Sequence, residues 1–213
     1  STLHFGAYLN DKLEGVMSFG SPLDKRKVLP LVDGTQWNGM LELNRMAFSD
    51  RLPRNSESRC MAVAFRLIKK HYPHIEWILS FSDGTQCGDG TIYRASGFVL
   101  TSIKKNNSIW KAPTGETFAE TSLRPGIGGS AAIKKAETIS RTTMPKGAHL
   151  AASGGKSSMQ RFKDAGWKPI EGYQLRYIYF LNPEARQRLT VPILPFSKID
   201  EMGAGMYKGV SIK

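Results

Sequence analysis

Two aspartates, a tyrosine and an arginine stand at the joints of an alternating segment, and they are the side chains best placed to do chemistry. Asp83 closes a run in which Ile75, Trp77, Leu79 and Phe81 alternate with Glu76 and Ser80. Such alternation marks a half-buried strand. Ligands of open α/β sheets collect beyond the carboxyl ends of parallel strands. Asp83 and Asp89 are therefore each a candidate base, a metal ligand or an Asx-turn residue. Tyr93 lies in Thr91-Ile-Tyr-Arg-Ala-Ser-Gly-Phe98, which predicts a short helix over 91–96 stopping at Gly97. A phenol there can protonate a leaving group or orient a donor, or it can simply pack against the sheet. Glu42 and Arg45 stand on an earlier strand, and burying unpaired charge is costly. An internal ion pair accounts for them, and so does a pair that positions substrate.

The elements that hold these residues follow from pattern. Residues 2–9 and 14–19 read as a hairpin across Asn10-Asp11-Lys12, and 20–38 as loop. In Met40–Phe48, Leu41 and Leu43 share one face and Met46 and Phe48 another, with the slip at Asn44-Arg45. A one-residue phase slip predicts a β-bulge, which splays a strand and frees backbone groups. A helix capped by Asn55 or Ser56 ends before Pro73, with Met61, Ala64, Phe65, Ile68 and Tyr72 on its apolar stripe. Strand, helix, strand in this order is a parallel βαβ unit. Phe98–Ile103 is a further strand, after which the pattern weakens. Ser157–Ala165 reads as a short helix and Gly172–Leu181 as a strand. Residues 124–158 read as a mobile basic excursion, and Arg188–Phe196, with Pro192 and Pro195, as at best an edge strand.

The loop Arg54-Asn55-Ser56-Glu57-Ser58-Arg59 opens that helix downstream of the bulge. Free amides and the helix dipole suit a pyrophosphate, with Arg54 and Arg59 adding charge. Asn55, Ser56, Ser58, Arg59 and Arg54 are accordingly the candidate cofactor-binding residues. Gly155-Lys156-Ser157 is no P-loop, because Leu150 stands where the first glycine is required. His4, His71, His74 and His149 show no metal-ligand spacing, and no histidine is suggestively spaced from Cys87.

Composition sets the frame. The 213 residues are 40% hydrophobic and 23% charged, as in a globular domain with an elaboration. No apolar run approaches the roughly 20 residues of a membrane span, and no secretory pattern opens the chain. Two cysteines make no disulfide framework and fit a reducing cytosol. The net charge of +12 is uneven: residues 1–103 hold 12 Lys/Arg against 10 Asp/Glu, residues 104–213 hold 18 against 8. A near-neutral half followed by a basic one implies a catalytic core, 1–103, and a polyanion-binding extension, 104–213, that completes the sheet. Lys134, Lys135, Arg141 and Lys146 are the candidate polyanion contacts.

The hairpin, bulged strand, loop with helix, strand and Tyr-bearing helix are similar to the GNAT acyltransferase fold over about residues 2–103. The loop departs from that fold's Gln/Arg-x-x-Gly-x-Gly/Ala pattern in having no glycine. The combination Leu41-Glu-Leu-Asn-Arg45, Asn55-Ser-Glu-Ser-Arg59, Ser80-Phe-Ser-Asp83 and Gly90-Thr-Ile-Tyr-Arg-Ala95 resembles the phage Mom family. The likeness extends through Gln174-Leu-Arg-Tyr-Ile-Tyr-Phe180. The resemblance implies a mixed α/β, GNAT-like enzyme of the host cytoplasm during infection. It implies addition of a carbamoylmethyl (methylcarbamoyl) group to adenine N6 in double-stranded DNA, which shields the DNA from host restriction. Arg45, Ser58, Asp83 and Tyr93 are the family residues it carries over, and it implies iron without naming ligands. The fold's first strand and helices are expected to be missing from this chain.

Adenine N6 is held in base pairing, so such an enzyme is expected to flip the base and stack it on an aromatic, for which Tyr8, Trp37, Trp110 and Tyr177 are candidates. The donor stays open between acetyl-CoA, an activated glycine unit and a metal-assisted step, and so does the oligomeric state, a dimer included. Two other readings compete: a conventional GNAT acetyltransferase on a protein or small amine, and a non-catalytic nucleic-acid-binding fold.

Overall fold

The computed structural model describes residues 2–84, 88–123, 134–136, 138–139, 158–207 and 210–211. Strands β1 (Leu3–Leu9) and β2 (Lys12–Gly20) form an antiparallel hairpin. Asn10 and Asp11 both take left-handed φ, 49° and 61°, the conformation a tight two-residue hairpin turn demands. A short helix α1 (Lys25–Val28), capped by Asp24, interrupts the stretch read as loop. Strand β3 (Met40–Phe48), helix α2 (Ser56–His71) and strand β4 (Trp77–Asp83) make the expected parallel unit. Helix α3 (Thr91–Ala95) ends at Gly97, whose φ of 82° is the left-handed C-terminal stop.

Strand β5 runs from Val99 to Lys111, well past the expected end at Ile103, and pairs with the short β6 (Thr117–Ala119). Strand β7 (Lys168–Phe180) starts four residues earlier than Gly172. A helix over Ser158–Asp164 precedes it. The region 188–196 is no strand: its β pairing is limited to isolated bridges, Val32 with Leu189 and Leu100 with Leu194. The expected excursion at 124–158 lies almost wholly outside the described residues.

The seven strands form one mixed sheet in the order β1-β2-β3-β4-β7-β5-β6. Only β3 and β4 are parallel neighbours; β7, from the second half of the chain, is inserted between β4 and β5. The short strands β8 (Met206–Tyr207) and β9 (Val210–Ser211) pair separately.

Each face of the sheet has its own core. On one, Met61, Ala64, Phe65 and Ile68 of α2 meet Phe19, Leu41, Leu43, Leu175 and Tyr177. Phe65 lies in an aromatic cluster, with its ring centroid 4.4 Å from Tyr179 and 5.8 Å from Phe98. Tyr72, expected on this stripe, is 40% exposed, because α2 ends at His71. On the other face Leu31, Val32 and Ala185 cover Met40, Trp77, Leu79 and Ile178 at the starting ends of β3 and β4. A third cluster, around Trp110, Phe162 and Trp167, sits on the outer part of the β5–β7 ribbon.

Candidate active site

The bulge forms where the phase slip predicted it. Ser18 pairs with Arg45 and Phe19 with Leu43, so Asn44 is the extra residue of β3. Its insertion returns Met46 and Phe48 to the face of Leu41 and Leu43, where all four join the α2 core. The two apolar pairs read as lying on opposite faces thus share one. β3 and β4 pair only from Met40–Trp77 to Glu42–Leu79, then separate. The ends of the two strands therefore no longer pair with each other, and a gap opens between them. Ser80, the first residue of β4 past the last pair, buries its hydroxyl without a partner.

A cleft of about 660 Å³ occupies this gap. One wall is Asn44, Arg45 and Met46; the other is Phe81, Ser82 and Asp83; the turn Gly88–Gly90 and Thr91–Tyr93 of α3 close it. Arg45, Asp83, Asp89 and Tyr93, singled out by residue type and position, thus share one cavity. Arg45 is exposed, and Asp83 and Tyr93 are half-buried. Cys87 lies outside the described residues.

The structure separates the roles of the acids. Asp89 accepts from the Thr91 backbone N–H at 3.0 Å, from the Thr91 hydroxyl, and from Arg94 Nη1 at 2.6 Å. Burial raises its pKa, but the Thr91 and Arg94 hydrogen bonds outweigh it, and the carboxyl is held below its ordinary range. Asp89 is thereby the Asx-turn residue that anchors α3. Glu42 and Arg45 form no ion pair. Glu42 stands outside the cleft lining, and burial pushes its pKa up, partly countered by a hydrogen bond with Asn44.

Tyr93 is set by aromatic packing. Its ring lies 5.2 Å from both Phe98 and Tyr177. Tyr177 is fully buried, donates its hydroxyl to the Asp89 carbonyl, and has its pKa driven up mainly by desolvation. Trp110 is likewise 4% exposed. Neither can stack a flipped base, whereas Tyr8 and Trp37 are exposed but outside the cleft lining. The aromatic that lines the cleft on β4 is Phe81, which sequence reasoning treated only as a strand residue. Arg176, a lone charge in the apolar run of β7, was also passed over; a cation in such a run is itself a signal.

The expected donor loop is divided. Arg54 and Asn55 line a second cleft, of about 430 Å³, with Phe48, Asp50 and Glu57. Ser56, Ser58 and Arg59 do not line it. The Ser56 hydroxyl donates to Pro53 O at 2.6 Å and the Ser58 hydroxyl to Asn55 O at 3.0 Å. Asn55 occupies the N-cap position with φ 66°, but its side chain caps nothing. The backbone N–H groups of Glu57 and Ser58 lie in the first turn, where a helix supplies no internal acceptor.

Lys134 is exposed, Lys135 pairs with Glu116 at 2.8 Å, and Arg141 and Lys146 lie outside the described residues. No three His, Cys, Asp or Glu side chains gather among the described residues, so these by themselves do not fit an iron centre.

The profile of the Mom protein family matches residues 1–198. The chain belongs to that family. It is 33% identical over 194 residues to the methylcarbamoylase Mom of Escherichia phage Mu, which covers 91% of this chain and 69% of the relative. Among the described residues no helix is long and apolar enough to cross a membrane. Within the family's matched region lie the bulge, the splayed strands and the whole of the cleft between them.

Proposed function

We propose that this chain is a DNA-modifying enzyme that adds a carbamoylmethyl group to N6 of adenine in double-stranded DNA and so protects it from host restriction. The relationship to the phage Mu methylcarbamoylase carries the reading. The cleft supports it by gathering an arginine, an aspartate and a tyrosine in one gap. The order of hairpin, bulged strand, helix, splayed strand and Tyr-bearing helix supports a GNAT-like transferase scaffold.

The chemistry needs three things from the residues. The N6 lone pair is delocalised into the ring, so N6 must lose a proton as its bond to carbon forms. Asp83 is the acceptor we assign. The donor's leaving group must gain a proton, and Tyr93 supplies it. Arg45, exposed at the lip, orients the donor's polar end by hydrogen bonds and charge. An activated donor of the carbamoylmethyl unit enters from the α2 side. There the amides of Glu57 and Ser58 provide polar contacts, with Arg54, Asn55, Ser56 and Arg59 around the helix start.

The test is nucleoside mass spectrometry of plasmid DNA from cells expressing the protein. A modified deoxyadenosine carrying the carbamoylmethyl mass is expected with the wild type. Tyr93→Phe, which removes one hydroxyl and little packing, is expected to reduce it at least tenfold, the scale of one acid–base contribution of about 10²–10⁴. Acetylated protein or amine with unmodified DNA would instead support a conventional acetyltransferase. Duplex binding with no mass change would support a non-catalytic DNA-binding protein.

A further inference from the structure

Arg176 is a cation that the fold half-buries and, among the described residues, leaves without a counter-ion. On β7 the odd residues Leu175 and Tyr177 turn to the α2 core, while Ile178 and Phe180 turn to the opposite face. Arg176 belongs to that second face, beside Phe81 of β4 and Ser102 of β5. A bulge in β5 holds it. The pairing skips Thr101, which is buried; its hydroxyl accepts from Arg176 Nε at 2.9 Å and its carbonyl from Nη2 at 3.2 Å. No carboxylate forms an ion pair with Arg176 among the described residues. Removing a guanidinium from water without an acidic partner is costly, and an arriving anion recovers that cost.

The same face carries Arg45 and Asp83. Arg45 pairs with Ser18 past the β3 bulge, and Asp83 stands opposite Gln174. The cluster of Leu31, Val32 and Ala185 over this face reaches Phe81 and Ile178, and farther out Ile109 is buried. Beyond Arg176 the face continues along the β5–β7 ribbon. Its cross-strand rows are Gln174 with Lys104, Gly172 with Asn106 and, after a second bulge, Ile170 with Ile109 and Lys168 with Lys111. Within the β5–β7 ribbon these rows hold no acid, Asp83 standing on the β4 side of the first; Glu171 alternates to the other side. All three lysines are exposed. Like charges directly opposed, as in Lys111 with Lys168, weaken a ladder unless something neutralises them.

We propose that the DNA strand bearing the target adenine lies along this face, with Arg176 on the phosphate beside the extruded nucleotide and Lys104, Lys111 and Lys168 on further phosphates. That the polyanion is DNA rests on the function proposed above. From Arg176 to Lys168, at about 3.3 Å per residue, the track covers roughly 26 Å, or about eight base steps at about 3.4 Å each. A nucleotide extruded beside Arg176 would enter the gap between Arg45 and Asp83, with Phe81 as its stacking surface.

The experiment measures anisotropy of a labelled plasmid-derived duplex over a range of salt, alongside adenine modification in cells. Each lost phosphate contact reduces the slope of log affinity against log salt by about 0.9. Lys104→Gln/Lys111→Gln/Lys168→Gln is expected to flatten it by about 2–3. Arg176→Gln is expected to weaken binding about tenfold or more. Arg176→Lys keeps charge but not the fork; it is expected to bind within about threefold of wild type yet modify less adenine. Wild-type slope in the triple variant, with adenine still modified by the wild type, overturns the track alone. So does full modification by Arg176→Lys. Flattened slope in the triple variant with no adenine mass change in the wild type supports the track and removes the proposed reaction. A wild type that binds no duplex overturns both.

Discussion

Two carboxylates beside the cleft are driven in opposite directions by their surroundings. Asp89 has a backbone amide, a hydroxyl and a guanidinium to accept from, and these overcome its burial. Glu42 has burial as its dominant influence, with Asn44 as a partial offset. A carboxyl whose folded pKa lies above its unfolded value of about 4.3 binds its proton more readily in the folded state. The stability linked to that proton is fully present below the unfolded value and lost as pH rises through the folded one. At neutral pH the charge on Glu42 therefore opposes folding. Glu42→Gln is expected to be more stable than wild type in urea unfolding at pH 7, with the advantage gone by about pH 4. A variant less stable at pH 7 would show that Glu42 carries a paired charge.

At the scale of elements, the short helix α3 depends on a glycine. Gly90 has φ 70°, and a Cβ there would come within 2.7 Å of the Tyr177 ring. That ring cannot easily yield, because its hydroxyl is tied to Asp89 and Tyr93 packs on it. Gly90→Ala is expected to cost about 2–4 kcal/mol, combining left-handed strain with overpacking. Thermal unfolding checks this, and a variant as stable as wild type would mean the turn can shift freely. The helix and the bulge were both legible in sequence, because each depends on neighbours within a few residues. Alternation located β1 to β4, and a break in it located Asn44. What stayed hidden was non-local. Residues 104–106 of β5 read Lys-Lys-Asn, a polar run with no alternation, yet they pair with β7. Nothing local reveals that β7 enters between β4 and β5, which is what brings Arg176 beside Phe81 and makes Tyr177 the support of Tyr93. The donor loop was legible as a helix start, but not the spending of its Ser56 and Ser58 hydroxyls on local carbonyls.

At the scale of the molecule, the sheet is a partition with one opening. The α2 face carries the helix start proposed for the donor. The opposite face carries the β5–β7 row from Arg176 to Lys168 proposed for DNA. The two communicate where β3 and β4 part, and there Arg45, Asp83 and Tyr93 meet. Such an arrangement lets a polyanion and a phosphate-bearing donor bind without competing for the same cations. It also makes their affinities separable, since residues far apart with no shared partner contribute independently to within about 0.3–0.5 kcal/mol. Arg54→Ala is expected to lower the modified fraction of cellular adenine while leaving duplex affinity within about twofold of wild type. Arg176→Gln is expected to weaken duplex binding, and the double variant to bind duplex no worse than Arg176→Gln alone. Duplex titrations of the four proteins at one salt concentration decide it. If Arg54→Ala weakens duplex binding as much as Arg176→Gln does, DNA reaches both faces and the sheet does not divide the substrates.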